Sequence, residues 1–261
     1  MYISTEGIEM QFVLALIIGA FVGGAAGYLG TLMLSKKMGL VAGPLGHLTL
    51  PGIAIALMFG FDISLGAFPM VALGIVLIWL FEIRSKLPME SLTAIVFASG
   101  VAITFLFLPE EKTVPALIGD ISQISLLAAA IIVVLCTIIL VATRRIYPKM
   151  IMISISEDLA QAEKVDVRKC NFIYLTCIAL TVSLGVRIVG GLMTAALAAI
   201  PACTSHNLSK NLSQYSWRGM ILGSSACILG IAGFMFTGIP AGLLIILTSA
   251  SLFLASLAFK R

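Results

Sequence analysis

The chain has 261 residues, 60% hydrophobic and 11% charged, with a mean hydropathy of +1.14. A soluble domain carries about 25% charged residues, so this composition excludes a soluble globular protein and reads as one polytopic membrane domain over residues 1–261. The net charge of +4 is not gathered into a basic stripe, which excludes a nucleic-acid partner. The five cysteines, without a CxxC pair, exclude a disulfide framework and a zinc knuckle.

Met1 to Met10 carries Glu6 and Glu9 and no base, so it lacks the basic start of a signal peptide and the first apolar segment is expected to be retained. Apolar segments of about 20 residues, the length that crosses a bilayer, follow at 11–34, 40–60, 64–83, 91–108, 121–142, 171–189, 190–208, 218–237 and 240–259. The segment 190–208 is short and interrupted by Pro201, so it reads as one span or two half-helices, giving eight or nine spans. The expected fold is all-α: a transmembrane helical bundle with broken helices.

Basic residues orient it. With the N-terminus outside, Lys36, Lys37, Arg84, Lys86, Arg144, Arg145, Lys149, Lys164, Arg168, Lys169, Lys210, Arg218, Lys260 and Arg261 face the cytoplasm, leaving only Lys112 and Arg187 outside. Inner loops carry such an excess of Lys and Arg. The chain is therefore expected to lie in the inner, cytoplasmic membrane with its C-terminus in the cytoplasm. The acids Glu6, Glu9, Asp62, Glu110, Glu111 and Asp120 then lie outside, either as the solvated remainder or as a cluster that raises local cation concentration.

The stretch Gly43-Pro44-Leu45-Gly46-His47-Leu48-Thr49-Leu50-Pro51-Gly52 stands out from the apolar background. Two prolines and three glycines oppose a straight helix, and broken backbone at membrane depth persists only where protein or a water-filled cavity covers it. It also holds His47, one of two histidines in the chain. An intramembrane ionisable group is a functional candidate; the plainer reading is a kinked helix with a hydrogen-bonded ring.

Residues 143–170 form the longest cytoplasmic connection. Ser156 before Glu157 and Asp158 reads as an N-cap with acids in the first turn, and Leu159, Ala160, Ala162 and Glu163 favour helix. A short helix at the inner face is expected there, either a plain connector or a docking element. Val189 to Cys203 is rich in small residues, which lets helices approach closely and, with Pro201, suits a helix that changes shape. Gly223-Ser224-Ser225-Ala226 comes nearest to a nucleophile turn, but it is not G-x-S-x-G and no acid orients a base, so an intramembrane hydrolase is disfavoured.

Several of these stretches together resemble permease subunits of the ABC-3 family, the ATP-binding-cassette importers of zinc or manganese. His47, Leu50, Pro51 and Gly52 match that family's Asp-Ala-x-Ser-His-x-x-Leu-Pro-Gly signature. Ile155 to Val167 resembles its cytoplasmic coupling segment at Leu159 and Ala160. Val189 to Met193, through Ile200-Pro201-Ala202, resembles its Val-Gly-x-Leu-Leu run, and Gly238 to Gly242 adds a weaker match. The signature's aspartate is Gly43 here and its serine Gly46; in the coupling segment the family's Asp and Gly positions read Ser156 and Lys164.

The resemblance implies a transport subunit, not an enzyme. Its metal contact would be His47, with Thr49 or backbone carbonyls freed by Pro44 and Pro51 as oxygen donors on the pathway. Glu157, Asp158, Leu159 and Ala160 would dock a separate cytoplasmic ATPase, since the chain has no G-x-x-x-x-G-K-[ST] of its own. An extracytoplasmic metal-binding protein and a second permease chain would complete the assembly. No cofactor is expected in the chain; a divalent metal ion is its cargo. The loss of the carboxylate at Gly43 leaves two other readings, a permease for another small solute and a scaffold whose metal site is lost.

Overall fold

The computed structural model describes residues 5–36, 46–85, 87, 89–107, 125–190 and 193–259. All regular structure among them is α-helix. In chain order the helices are α1 (Thr5–Ser35), α2 (Leu50–Phe59), α3 (Ile63–Ser85), α4 (Met89–Phe107), α5 (Leu126–Ile155), α6 (Glu157–Ala162), α7 (Val167–Val189), α8 (Thr194–Leu208), α9 (Leu212–Thr237) and α10 (Ala241–Ala258). Five regions are long and apolar enough to cross a membrane: Met10–Ser35 within α1, and α5, α7, α9 and α10; Leu65–Ile78 and Ser91–Leu106 are shorter apolar stretches.

Local chemistry sets the helix ends. Ser125, Ser156, Asp166 and Asn211 cap α5, α6, α7 and α9, each side-chain oxygen accepting a hydrogen bond from the backbone N–H three residues on. At α9, Gln214 Oε1 also accepts from the N–H of Lys210, the residue ahead of the cap, at 3.2 Å. Gly60 and Gly238 end α2 and α9 in the left-handed conformation, with φ of 72° and 68°.

Helix α1 is the centre. It packs most extensively on α9, then on α8, α5 and α7, and its inward residues Ile18, Val22, Leu29 and Leu32 are buried. The α1–α9 seam has almost no side chains between its backbones. A Cβ on Gly23 would collide with the Gly223 carbonyl oxygen, and one on Gly27 with that of Gly219. Such small residues at interfaces let membrane helices touch backbone to backbone. Helices α2, α3 and α4 pack together, and α3 carries the group onto α7.

Ser154 Oγ donates to the Ser35 carbonyl at 3.3 Å, Lys36 Nζ to Asn171 Oδ1 at 3.3 Å, and Asn207 Nδ2 to Ser256 Oγ at 3.0 Å. These bonds gather the C-terminal ends of α1, α5, α8 and α10 with the start of α7 at one end of the bundle. Asp62 and Arg187 meet at the other.

Three expectations change. The connection expected over 143–170 begins later, because α5 continues through Pro148 to Ile155. Pro148 withholds only the hydrogen bond to the Arg144 carbonyl, and buried Ile146, Tyr147, Met150 and Ile153 keep the helix against the bundle. Pro201 does not divide its segment either: it is buried inside continuous α8. Within the segment expected at 40–60 the helix is interrupted: Gly46 and His47 are helical, Leu48 and Thr49 form a turn, and the ten-residue α2 follows. Residues 37–45, with Gly43 and Pro44, and 108–124, with Glu110, Glu111, Lys112 and Asp120, lie outside the described residues.

Candidate functional site

Helix α2 starts where the chain is broken. Thr49 is fully buried; its Oγ1 donates to the Gly46 carbonyl at 2.6 Å and its N–H points to the same oxygen at 3.3 Å. Pro51 occupies the first turn, where a missing N–H is tolerated and the fixed φ suits the helix. The same missing N–H leaves no helical donor for the His47 carbonyl four residues earlier. Leu48 is wedged against Gly74 of α3 and Gly100 of α4, where added Cβ atoms would lie 2.6 and 3.1 Å from its methyls. Gly52 and Gly66 bring α2 and α3 into backbone contact, each Cβ position colliding with the other's carbonyl oxygen.

This packing presents His47 half-buried at the head of α2, its ring 4.9 Å from that of Phe97 on α4 and tilted by 48°. Ten residues of helix rise about 15 Å, half of a hydrocarbon core of about 30 Å. The far end of α2 at Gly60 lies beside Asp62, so that length of helix separates the His47 break from the Asp62–Arg187 pair. Of the expected pathway residues, Thr49 spends its hydroxyl proton on closing the turn, and Pro51 shapes the helix start beside His47.

A neutral imidazole offers one nitrogen ligand. Among the described residues no three His, Cys, Asp or Glu side chains converge on a point that could hold a metal ion. His206 does not join His47: it packs edge-on against Tyr215 of α9, ring centroids 5.8 Å apart, at the end of α8. The serines of the hydrolase alternative are engaged elsewhere. Ser224 Oγ donates to the Ala20 carbonyl at 2.7 Å across the α1–α9 seam, and Ser225 Oγ to the Leu222 carbonyl at 3.0 Å.

The segment expected to dock a partner forms α6, between the end of α5 and the start of α7. Ser156 Oγ accepts from the Leu159 N–H at 3.3 Å and so caps α6. Glu157, Asp158 and Leu159 are exposed, whereas Ala160 is fully buried and anchors the turn to the bundle. Lys164 adopts φ of 57°, the left-handed conformation that glycine takes without strain. Behind α6, Lys36 lies 5.4 Å from the centroid of the Tyr174 ring. Burial holds its ammonium below the usual lysine range, with the Glu157 carboxylate pulling the other way.

Two elements of this arrangement went unread in the sequence. Arg187, the lone base expected outside beside Lys112, pairs with Asp62 and joins the end of α7 to the α2–α3 turn; it is the only ion pair among the described residues. Its isolation among outer acids was the available signal. The spacing Gly19-x-x-x-Gly23-x-x-x-Gly27 announced the α1–α9 seam.

Residues 9–260 match the profile of the ABC 3 transport family. The chain is 26% identical over 247 residues to the manganese import system permease protein ScaB of Streptococcus gordonii, covering 93% of this chain and 88% of that one. It is also 26% identical over 259 residues to the high-affinity zinc uptake system membrane protein ZnuB of Haemophilus influenzae, covering 95% and 96%. The fold is similar to that of PsaBC from Streptococcus pneumoniae in complex with Fab, with a TM-score of 0.81 and 24% identity over 93% of this chain and 89% of that one. Apolar helices, a broken helix carrying His47, an outward short helix at the basic end and a family match over nearly the whole length converge: the chain belongs to the ABC-3 transport family and is a membrane permease, not an enzyme.

Proposed function

We propose that this chain forms the translocation pathway of an ATP-binding-cassette importer for zinc or manganese, with His47 as the ion contact at mid-membrane. The observation that carries this reading is the break in the helix at 48–49, with Pro51 opening α2 and the His47 imidazole just ahead of it beside Phe97. Substrate sites of transporters lie near the midplane at such discontinuous helices. The names of the ScaB and ZnuB relatives support manganese or zinc as cargo.

The assembly has two permease chains, a cytoplasmic ATPase seated on Glu157, Asp158 and Leu159 of each α6, and an extracytoplasmic metal-binding protein that delivers the ion. The chain lies in the inner membrane with its C-terminus in the cytoplasm and eight or nine spans, α2 serving as part of one. Closure of the ATPases pushes α6, and the bundle exposes His47 to each side in turn.

A second reading, a permease for another small solute, draws on the absence of three convergent metal-binding side chains among the described residues and on Gly43 in the aspartate position. Uptake in proteoliposomes holding this chain and its cognate ATPase separates the two. Zinc, manganese and iron are compared for the unaltered chain and His47→Ala. Uptake of one metal that falls about 10-fold or more in the variant supports His47 as a ligand. Metal uptake indifferent to the substitution removes His47 from the pathway. If no metal enters, the second reading stands.

A further inference from the structure

The outward faces of α5 and α9 change character at the same end of the bundle. On α5, Ile131, Val134, Ile138 and Val141 are exposed at helical spacing and continue into Arg145 and Lys149 on the same face. On α9 the exposed face runs from Trp217 to Phe236, 19 residues or about 28 Å of helix. That matches a hydrocarbon core of about 30 Å, and aromatic residues favour the two boundaries of such a core. Trp217 therefore marks the headgroup level at the end where the basic residues of α5 begin.

Arg144 joins the two helices there. Its guanidinium carbon lies 5.7 Å from the centroid of the Trp217 ring. Trp217 rests edge-on against Tyr28 of α1 at 6.4 Å, and Tyr28 against Tyr147 of α5 at 5.6 Å, so the platform under the cation is fixed by three helices. No carboxylate among the described residues lies within salt-bridge distance of Arg144, Arg145 or Lys149. A guanidinium placed over an aromatic ring by a cation–π contact does not spend its N–H donors on that contact, and their fork fits a phosphate with two parallel bonds.

We propose that Arg144 and Trp217, flanked by Arg145 and Lys149, bind the phosphate of an anionic phospholipid at this end of the bundle. Placing that lipid in the cytoplasmic leaflet rests on the orientation proposed above; the site does not. The depth favours lipid over a protein partner. A partner on α6 would meet the chain beyond Ile155, 11 residues or about 17 Å further along α5, whereas Arg144 stands where the apolar face ends.

Trp217 is its own reporter. Trp79→Phe leaves it as the single tryptophan of the full chain. The protein is placed in phosphatidylcholine bilayers containing an equal share of either brominated phosphatidylglycerol or brominated phosphatidylcholine, and quenching is compared. Phosphatidylglycerol should be enriched beside Trp217 by about five-fold for each basic residue that attracts it. The enrichment should fall several-fold in Arg144→Gln, remain intermediate in Arg144→Lys, and shrink as ionic strength rises. The salt series on the chain with Arg144 intact tests the site should Arg144→Gln fail to fold. Equal quenching by the two lipids, or a preference indifferent to salt, overturns the proposal. So does a preference abolished by adding the cognate ATPase, which would assign this face to protein, or by millimolar inorganic phosphate, which would assign it to a soluble anion.

Discussion

The seating of α2 on α3 can be tested with a single methyl group. In Gly52→Ala the new Cβ would lie 2.6 Å from the Gly66 carbonyl carbon and 3.0 Å from the Ala67 nitrogen, and would collide with the Gly66 oxygen. Unstrained carbon contacts lie near 3.5–4.0 Å, so the helices must part by about 1 Å. All three obstacles are backbone, and no flexible side chain can give way. Overpacking of this kind costs about 1–3 kcal/mol. For a chain of this size each kcal/mol shifts the melting temperature by about 2–4 °C. Two other glycines serve as controls. A Cβ on Gly60 meets nothing within 4 Å but must adopt φ of 72°, so Gly60→Ala should cost about 1 kcal/mol. Gly233→Ala meets a Leu244 methyl at an ordinary 3.4 Å and should be neutral or stabilising by up to about 1 kcal/mol. Thermal melting in detergent, followed by size-exclusion chromatography, ranks the three. Because α2 begins three residues after His47, Gly52→Ala should also lose uptake that Gly233→Ala retains. A Gly52→Ala chain melting with Gly233→Ala at the unaltered temperature would refute the close packing.

The Asp62–Arg187 pair holds the α2–α3 turn to the end of α7, and Arg187 is mostly buried. A double-mutant cycle with Asp62→Asn and Arg187→Gln, read by thermal melting, should return a coupling of about 1.5–3 kcal/mol; a coupling near zero would make the contact incidental. At the end of α6, Lys164→Gly should stabilise the chain by up to about 1 kcal/mol by relieving the left-handed φ of 57°. Circular-dichroism melting checks it, and a lower melting temperature would contradict the strained turn.

Much of this architecture was written in local composition. Apolar runs announced the long helices, Ser156 with Glu157 and Asp158 announced α6, and the cluster of Pro and Gly around His47 announced a break. The errors arose where tertiary packing outweighed a local signal. Pro201 looked like an interruption and 143–170 like a connection, yet Pro201 and Pro148 each remove a single hydrogen bond while buried neighbours let the helix continue. The Asp62–Arg187 pair spans 125 positions, and no periodicity reveals a contact so remote in the chain. The break beside His47 was legible in the sequence but no ligand set was, because one histidine among apolar residues does not name its partners. Ser156 and Lys164 are legible in the structure as a cap and as a left-handed turn residue: a hydroxyl caps the helix, and lysine bears a conformation that glycine adopts freely.

Helix α7 is the element through which α6 can reach His47. At one end its Asn171 accepts a hydrogen bond from Lys36, whose ammonium also faces the Tyr174 ring, and α6 leads directly into it. Toward the other end, about 24 Å along the helix from Asn171, Val186 packs with Leu50, Ile53, Ala54 and Ala67 of α2 and α3, and Arg187 grips Asp62. A rigid helix clamped at both ends transmits displacement, and loosening the inner clamp should separate ATP turnover from transport. Asn171→Ala removes the acceptor without introducing charge, and Lys36→Met removes the ammonium while keeping a chain of similar length over Tyr174. A hydrogen bond to a charged group contributes about 1.5–3 kcal/mol, so its loss can shift the balance between coupled and uncoupled states by about 10- to 100-fold. In proteoliposomes with the cognate ATPase, each variant should hydrolyse ATP near the unaltered rate while cargo moved per ATP falls several-fold. The chain must also melt near its original temperature, so that the defect is one of coupling and not of folding. An unchanged transport-to-hydrolysis ratio in both variants would show that α6 is linked to α2 by another route, for which α1, whose Ser35 carbonyl accepts from Ser154 at the α6 end, is the remaining candidate.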